Sequence, residues 1–262
     1  MSNLFAETLR KKGWIHIPFP FEKLEFFKAA DFFLDFCSLP LEEKQHLHRF
    51  PYPNDRVSQV GYFQRRQETG AFDDKEVWHH HIHIKDILGT EPLWQHQKTR
   101  AFVAAADALL KKGIEVLTDI LNDFEKEYPE IRDRFLPQGK APKIYLRFVN
   151  YAPQKTGAFL AKGHFDRGGL TIALCESAPG LRLGKDASSL TPLTHQENMG
   201  VFFPGISFPE VTDNRFTPIW HDVIQKSEDH YRSDCARWAI VLFADAFDMV
   251  PPTVAQARKF LM

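Results

Sequence analysis

Two histidines and an aspartate carry the spacing in this chain best suited to chemistry. His164 and Asp166 stand in Gly163-His164-Phe165-Asp166, and His221 follows far downstream in Trp220-His221-Asp222. On a strand, successive side chains alternate, so His164 and Asp166 point to one side while Phe165 and Arg167 point to the other. Two imidazoles and one carboxylate gathered on one face of a metal form the 2-His-1-carboxylate facial triad. That triad holds Fe(II) and leaves the remaining coordination positions open. On spacing alone, the same three residues read more readily as a buried, hydrogen-bonded His–Asp pair with an unrelated third histidine.

The elements that must position these residues change character along the chain. The first half reads as helix-rich with a few strands. Residues 2–12 read as a short helix ended by Gly13, Trp14 to Ile17 as a strand closed by Pro18, and Phe21 to Cys37 as an amphipathic helix. Phe102, Ala106, Leu109, Gly113, Val116 and Ile120 recur at alternating steps of four and three, the stripe of a long buried helix that ends near Tyr128-Pro129. After Pro142, short apolar runs alternate with Gly, Pro, Asn and Asp turns as far as Pro251. Antiparallel strands at that density make a sandwich or barrel. With no linker, repeat or low-complexity tract, residues 1–262 read as one domain. It comprises a helix-rich region over about 1–139 and a jelly-roll core over about 140–250.

Bulk properties narrow the function classes. Hydrophobic residues make up 44% and charged residues 26% of the 262, the balance of an ordinary soluble protein. A net charge of −1 gives no electrostatic reason to expect nucleic acid or an anionic membrane as partner. No run is long and apolar enough to span a bilayer, and the first residues lack the pattern of a signal peptide. Cys37, Cys175 and Cys235 show no metal-binding spacing and read as free thiols in a reducing cytoplasm. The 24 phenylalanines suit a core and also an apolar-walled cavity.

The residues around the His-x-Asp pair carry more. In order and spacing, four segments resemble the isopenicillin N synthase-like branch of the iron- and 2-oxoglutarate-dependent oxygenases. They are Gly163-His164-Phe165-Asp166-Arg167-Gly168-Gly169-Leu170-Thr171, Gly180-Leu181-Arg182-Leu183, Asn214-Arg215-Phe216-Thr217-Pro218-Ile219-Trp220-His221-Asp222-Val223 and Arg237-Trp238-Ala239. Upstream, Gly13-Trp14-Ile15-His16-Ile17 resembles the family's first strand, and Leu39-Pro40-Leu41-Glu42-Glu43-Lys44 its helix start. Gly61-Tyr62 and Asp74-Lys75-Glu76 also sit where that family has similar residues. The resemblance thus covers nearly the whole chain.

It implies a mainly β fold with α, a double-stranded β-helix (jelly roll) flanked by N-terminal helices. It implies Fe(II) held by His164, Asp166 and His221, with 2-oxoglutarate and O2 as co-substrates and a small molecule as the substrate to be hydroxylated, desaturated or cyclised. His195 and His230 lack the Asn-x-Phe-x-x-x-x-His context of His221 and are set aside as third ligand. Arg237 corresponds to the arginine that grips the distal carboxylate of the co-substrate, a role suited to a guanidinium fork. Arg232 is its rival, though it sits in a polar loop. Arg147-Phe148-Val149-Asn150-Tyr151 resembles the strand whose tyrosine reaches the co-substrate, which makes Tyr151 a second contact.

One departure stands out: the family's Arg-x-Ser is Arg237-Trp238-Ala239 here, so a hydroxyl is missing. A hydrogen bond to a charged group contributes roughly 1.5–3 kcal/mol, or about 10- to 100-fold in affinity. Two alternatives therefore stand beside the oxygenase reading: an Fe(II) oxidase that does without 2-oxoglutarate, and a non-catalytic jelly-roll binding protein. Trp78-His79-His80-His81-Ile82-His83 would place three histidines on one strand face, which reads as polar packing or substrate contact ahead of a second metal site. Gly168-Gly169 reads as a tight bend or bulge beside the metal. By position in the family pattern, the substrate pocket is expected near Tyr62, Phe63, His79, His81, Phe148 and Phe208, and it is expected to be neutral.

Overall fold

Strands from both halves of the chain share one sheet in the computed structural model, which describes residues 3–51, 59–65 and 74–249. The helix at the N-terminus, α1 (Asn3–Lys12), stops at Gly13, which is left-handed with φ 84°. Strand β1 (Ile15–Pro18) follows, then α2 (Lys23–Cys37), opened by a reciprocal Glu22–Glu25 capping box. A short α3 (Leu41–Lys44) leads into β2 (His48–Arg49), β3 (Val60–Arg65) and β4 (Lys75–His81). After α4 (Ile84–Leu88) comes the long α5 (Gln97–Glu125), which buries every member of the predicted stripe. Helix α6 (Ile131–Phe135) closes the helical region. None of the described helices is long and apolar enough to cross a membrane.

The remaining strands are β5 (Lys143–Tyr151), β6 (Phe159–Phe165), β7 (Leu170–Glu176), β8 (Leu181–Gly184), β9 (Thr191–Pro192), β10 (Met199–Pro204), β11 (Trp220–Ile224) and β12 (Arg237–Asp245), with a one-turn α7 (Phe208–Val211) between β10 and β11. They form two antiparallel sheets. The larger has the order β1-β10-β7-β12-β5-β4-β3-β2 and the smaller β6-β11-β8-β9. The boundary expected near residue 140 is therefore not a break in the sheet. β4 pairs with β5 from Lys75↔Tyr151 to His81↔Tyr145, and the N-terminal half supplies β1 to β4 to the larger sheet.

Alternation along β5 and β12 divides two apolar layers. Ile144, Leu146 and Phe148, with Trp238, Ile240 and Leu242, face α2 and α5. On the opposite face, Val149, Tyr151 and Ala239 meet Leu181, Leu183 and Val223 of the smaller sheet. The phenylalanines belong mostly to the helix–sheet layer, where Phe33, Phe36, Phe102, Phe148, Phe202 and Phe208 are fully buried. Each such ring contributes roughly 1.5–3 kcal/mol relative to exposure. α5 rides so close on β12 that a Cβ at Gly113 would lie 3.3 Å from Leu242.

The upstream motifs acquire a physical reason here. Lys44 is buried and pairs with Glu76 at 2.7 Å, and Glu76 also accepts from Tyr62 Oη at 2.5 Å and Asn150 Nδ2 at 3.2 Å. Leu39–Lys44, Gly61-Tyr62 and Asp74–Glu76, distant in sequence, thus close on one carboxylate that ties α3 to the sheet.

Candidate metal centre and cavity

The two sheets enclose a cavity, and the three candidate ligands meet on its wall. His164 near the end of β6 and His221 on β11 are direct cross-strand partners, with ring centroids 4.3 Å apart. The pairing shifts register just after His221, a local irregularity of the kind that re-aims a side chain. Asp166 lies one residue past β6. Its Oδ1 is 3.7 Å from His164 Nε2 and 3.6 Å from His221 Nε2, and the three ligand atoms lie within 4.8 Å of one another. Among the described residues, no other group of His, Cys, Asp and Glu is arranged this way.

The surrounding hydrogen bonds decide which atoms are available. His164 Nδ1 donates to Lys162 O at 2.7 Å and His221 Nδ1 to Ile219 O at 3.2 Å, which leaves the Nε2 lone pair of each ring facing inward. Thr171 Oγ1 donates to Asp166 Oδ2 at 2.7 Å, which leaves Oδ1 facing the histidines. Three lone pairs thus converge, each fixed by a partner behind it, as metal ligands require. Desolvation of the ring, with His221 beside it, drops the His164 pKa to about 4, so the ring is neutral and able to ligate. Burial pushes Asp166 upward, but His221, His164, Thr171 and Arg147 together outweigh it and hold the carboxylate below its usual range. The donor set fits a divalent cation of Fe(II) type. Two charged neighbours add rigidity: Asp222, next to His221, takes a two-pronged bond from Arg182 at 2.7 and 2.6 Å.

Arg237 reaches the same cavity from the first position of β12. It is 4% exposed, and its guanidinium carbon lies 5.4 Å from the ring of Tyr151, its cross-strand partner. Nε donates to Ala178 O at 2.8 Å, Nη2 pairs with Glu176, and Nη1 is buried with no hydrogen-bond partner. Burial pulls the arginine's pKa below its ordinary value, against an opposing pull from Tyr151. Ala239, two residues on, lines the same face. The structure therefore brings His164, Asp166, His221, Arg237 and Tyr151 to one cavity. The rival Arg232 is committed elsewhere, bonded to Asp31 and Asp35 of α2 at 2.7 and 2.8 Å. His195 stands beside Glu176 at 3.2 Å, and His230 bonds Gln225 at 3.1 Å.

Other expectations are corrected. Of the residues expected around the substrate pocket, Phe63 and His79 line the cavity. Tyr62, Phe148 and Phe208 point into the helix–sheet core, and His81 hydrogen-bonds Pro142 O at 3.2 Å. Of the 24 phenylalanines, Phe63, Phe165, Phe203 and Phe243 line it. The cavity is not neutral either: Arg65, Lys75, Arg147, Lys162 and Arg167 face Asp166 and Asp245 across its wider half. The histidine run breaks up, because β4 ends at His81 and His83 caps α4 instead, bonded to Asp86 at 3.2 Å. The Gly168-Gly169 pair is a close approach: a Cβ at Gly168 would overlap Asp245 Oδ1, which also accepts the Gly169 N–H at 3.0 Å. Sequence reasoning gave no role to Glu176 or Thr171. Thr171 follows Asp166 by five residues, which offers a signal; Glu176 ends an apolar strand and offers none.

No known family profile matches the chain, and no curated protein sequence matches it. Solved structures do. A full-length Neurospora crassa protein in complex with alpha-KG matches with TM-score 0.72 and 17% identity over 98% of this chain and 87% of that one. JOX2 in complex with 2OG, Fe and JA matches with TM-score 0.70 and 15% identity over 97% and 74%. AtDAO1, a dioxygenase for auxin oxidation from Arabidopsis thaliana solved with 2-oxoglutarate, matches with TM-score 0.69 and 16% identity over 100% and 95%. At these identities the likeness is one of fold, and the chain has the jelly-roll fold of the 2-oxoglutarate oxygenases.

Proposed function

We propose that the protein is a non-haem Fe(II)- and 2-oxoglutarate-dependent oxygenase of a small molecule, working as a single domain in the cytoplasm, where its three thiols stay reduced. The observation that carries this reading is the convergence of His164 Nε2, Asp166 Oδ1 and His221 Nε2, each held by a hydrogen bond behind it. The solved structures of the same fold, crystallised with alpha-KG or with 2OG and Fe, support it.

His164, Asp166 and His221 would hold the iron, which supplies O2 activation coupled to decarboxylation of the keto acid. Arg237 would receive the distal carboxylate of 2-oxoglutarate through the unpartnered Nη1, with Tyr151 packed against its guanidinium. Val149, Val223, Leu181 and Ala239 wall that end and exclude water. Thr171 keeps one carboxylate oxygen of Asp166 occupied, so the other would be left to hold the metal.

A second reading, an Fe(II) oxidase without 2-oxoglutarate, is favoured by one observation: Glu176 already occupies Nη2 of Arg237. Anaerobic titration with Fe(II) and then 2-oxoglutarate separates the two, read by the visible charge-transfer band of a keto acid chelated to iron. The oxygenase reading expects the band, its loss in His164→Ala and its weakening in Arg237→Ala. Iron binding without a band at any keto-acid concentration favours the oxidase. No iron binding overturns both.

A further inference from the structure

A second arginine, half-buried, faces the triad from the opposite end of the cavity. Arg147 on β5 lies opposite His79 on β4, and its side chain enters the space where His164 and Asp166 stand. Its Nε donates to His79 Nε2 at 2.6 Å. His79 can accept because its Nδ1–H is spent on Gln59 O at 2.8 Å, which fixes the tautomer. One face of the guanidinium lies over the Phe243 ring, 4.3 Å from the centroid. Among the described residues no hydrogen bond and no ion pair is made by the remaining two nitrogens, and neither is sealed from the cavity.

The choice of partner matters. A carboxylate would orient the guanidinium and cancel its charge. A histidine orients it and cancels nothing, because this imidazole is neutral: desolvation, with Arg147 beside it, keeps the His79 pKa well below its usual value. The result is a cation locked in plane with two parallel N–H groups pointing into a cavity. Burial of the unpaired charge pulls the Arg147 pKa down to about 10, still far above neutrality. A guanidinium held partly out of water without an ion-pair partner is stabilised when a ligand supplies one. Arg65 and Lys162 add positive charge at the exposed rim of the same space, in a chain whose net charge is −1. The nearest acids, Asp166 and Asp245, act on Arg147 through space, without forming an ion pair with it.

We propose that the substrate is a small organic acid, whose carboxylate is received by the two free nitrogens of Arg147, with His79 as the positioning residue. A fork of two parallel N–H groups matches the two oxygens of a carboxylate. The carbon skeleton of an acid so held lies beside His164 and Asp166, which rests on the oxygenase reading for its chemical meaning.

The test is direct binding and does not require turnover. Calorimetric titration of metal-free protein, and of protein loaded with Fe(II) and 2-oxoglutarate without oxygen, would compare benzoate, phenylacetate and hexanoate with the amide of each. The expected result is that at least one acid binds about 10-fold or more tightly than its amide. Arg147→Met should remove that preference, Arg147→Lys should keep part of it, and Arg237→Met should leave it intact in metal-free protein. Circular dichroism would confirm that each variant folds. If no acid outbinds its amide, or if the preference survives Arg147→Met and vanishes in Arg237→Met, the proposal is wrong. Failure of the oxygenase reading shows separately, as a missing charge-transfer band with acid binding unchanged.

Discussion

Arg237, buried, and Arg147, half-buried, line one cavity on adjacent strands, yet they are held in different ways. Arg237 has Glu176 against it, a backbone carbonyl on Nε and one orphan nitrogen. Arg147 has a neutral histidine and an aromatic face. The first arginine is mostly satisfied by the protein itself and needs a ligand for its last nitrogen. The second is oriented but not neutralised. Burial of an arginine therefore says little by itself; what its partner does to the charge tells whether a ligand is awaited.

That contrast can be upset in several ways. The largest expected effect follows from Glu176→Ala, which strips the counter-charge from Arg237. Removing one partner of a buried pair costs about 3–5 kcal/mol, and urea denaturation should show a loss of that size. Excess 2-oxoglutarate should recover part of it by supplying the absent carboxylate; a variant as stable as the parent would mean that Glu176 and Arg237 do not depend on each other.

Acid should weaken the other end. His79, His80 and His81 are all buried with pKa values below the ordinary 6.5, His81 at about 4 through desolvation. Their folded pKa lies below the unfolded one, so the unfolded chain takes up protons first as pH falls. Stability is then full above about 6.5 and declines toward 4, by roughly 3 kcal/mol from His81 alone. Denaturation of metal-free protein across that window should slope accordingly, and His81→Gln should flatten the slope.

Ala239→Ser tests the keto-acid end more gently. The hydroxyl would share the face occupied by Arg237, and the dissociation constant of 2-oxoglutarate should fall by about 10-fold. No change in affinity would show that the carboxylate is gripped elsewhere. The smallest effect belongs to Arg147→Met. Swapping an uncompensated cation for an apolar chain of similar length should shift stability by less than about 1.5 kcal/mol, in contrast to Glu176→Ala. A loss as large as that of Glu176→Ala would show Arg147 to be a structural keystone instead of a ligand group.

Much of this site was legible in the sequence, for reasons that differ by residue. His164 and Asp166 announce themselves because strand alternation turns a one-residue gap into a shared face. The stripe of α5 is legible because helical period and burial coincide. His221 needed its flanking pattern, since its pairing with His164 is a long-range register that no local signal encodes. The substrate end was misread. Tyr62 and Phe148 fall on the helix side because alternation has two phases, and which one faces the cavity is set by the sheet's other neighbours; Phe208 opens the short α7 and packs into the same layer. The charge of the cavity was hidden for a related reason: Arg65, Arg147 and Lys162 come from three separate strands, and a net charge near zero conceals their gathering. Glu176 could not be found, because its partner lies across a strand pairing that only the folded chain reveals.

In the smaller sheet, β6 is an outer strand, hydrogen-bonded to β11 and to no other described strand, and the candidate ligands sit on and just beyond these two. An ion held across them would act as a rivet at a sheet margin. Stripped of iron, that margin should fray first, so the chain would carry a built-in mark of starvation: faster amide exchange and earlier proteolytic nicking around residues 159–166, while the strands packed on α5 remain closed.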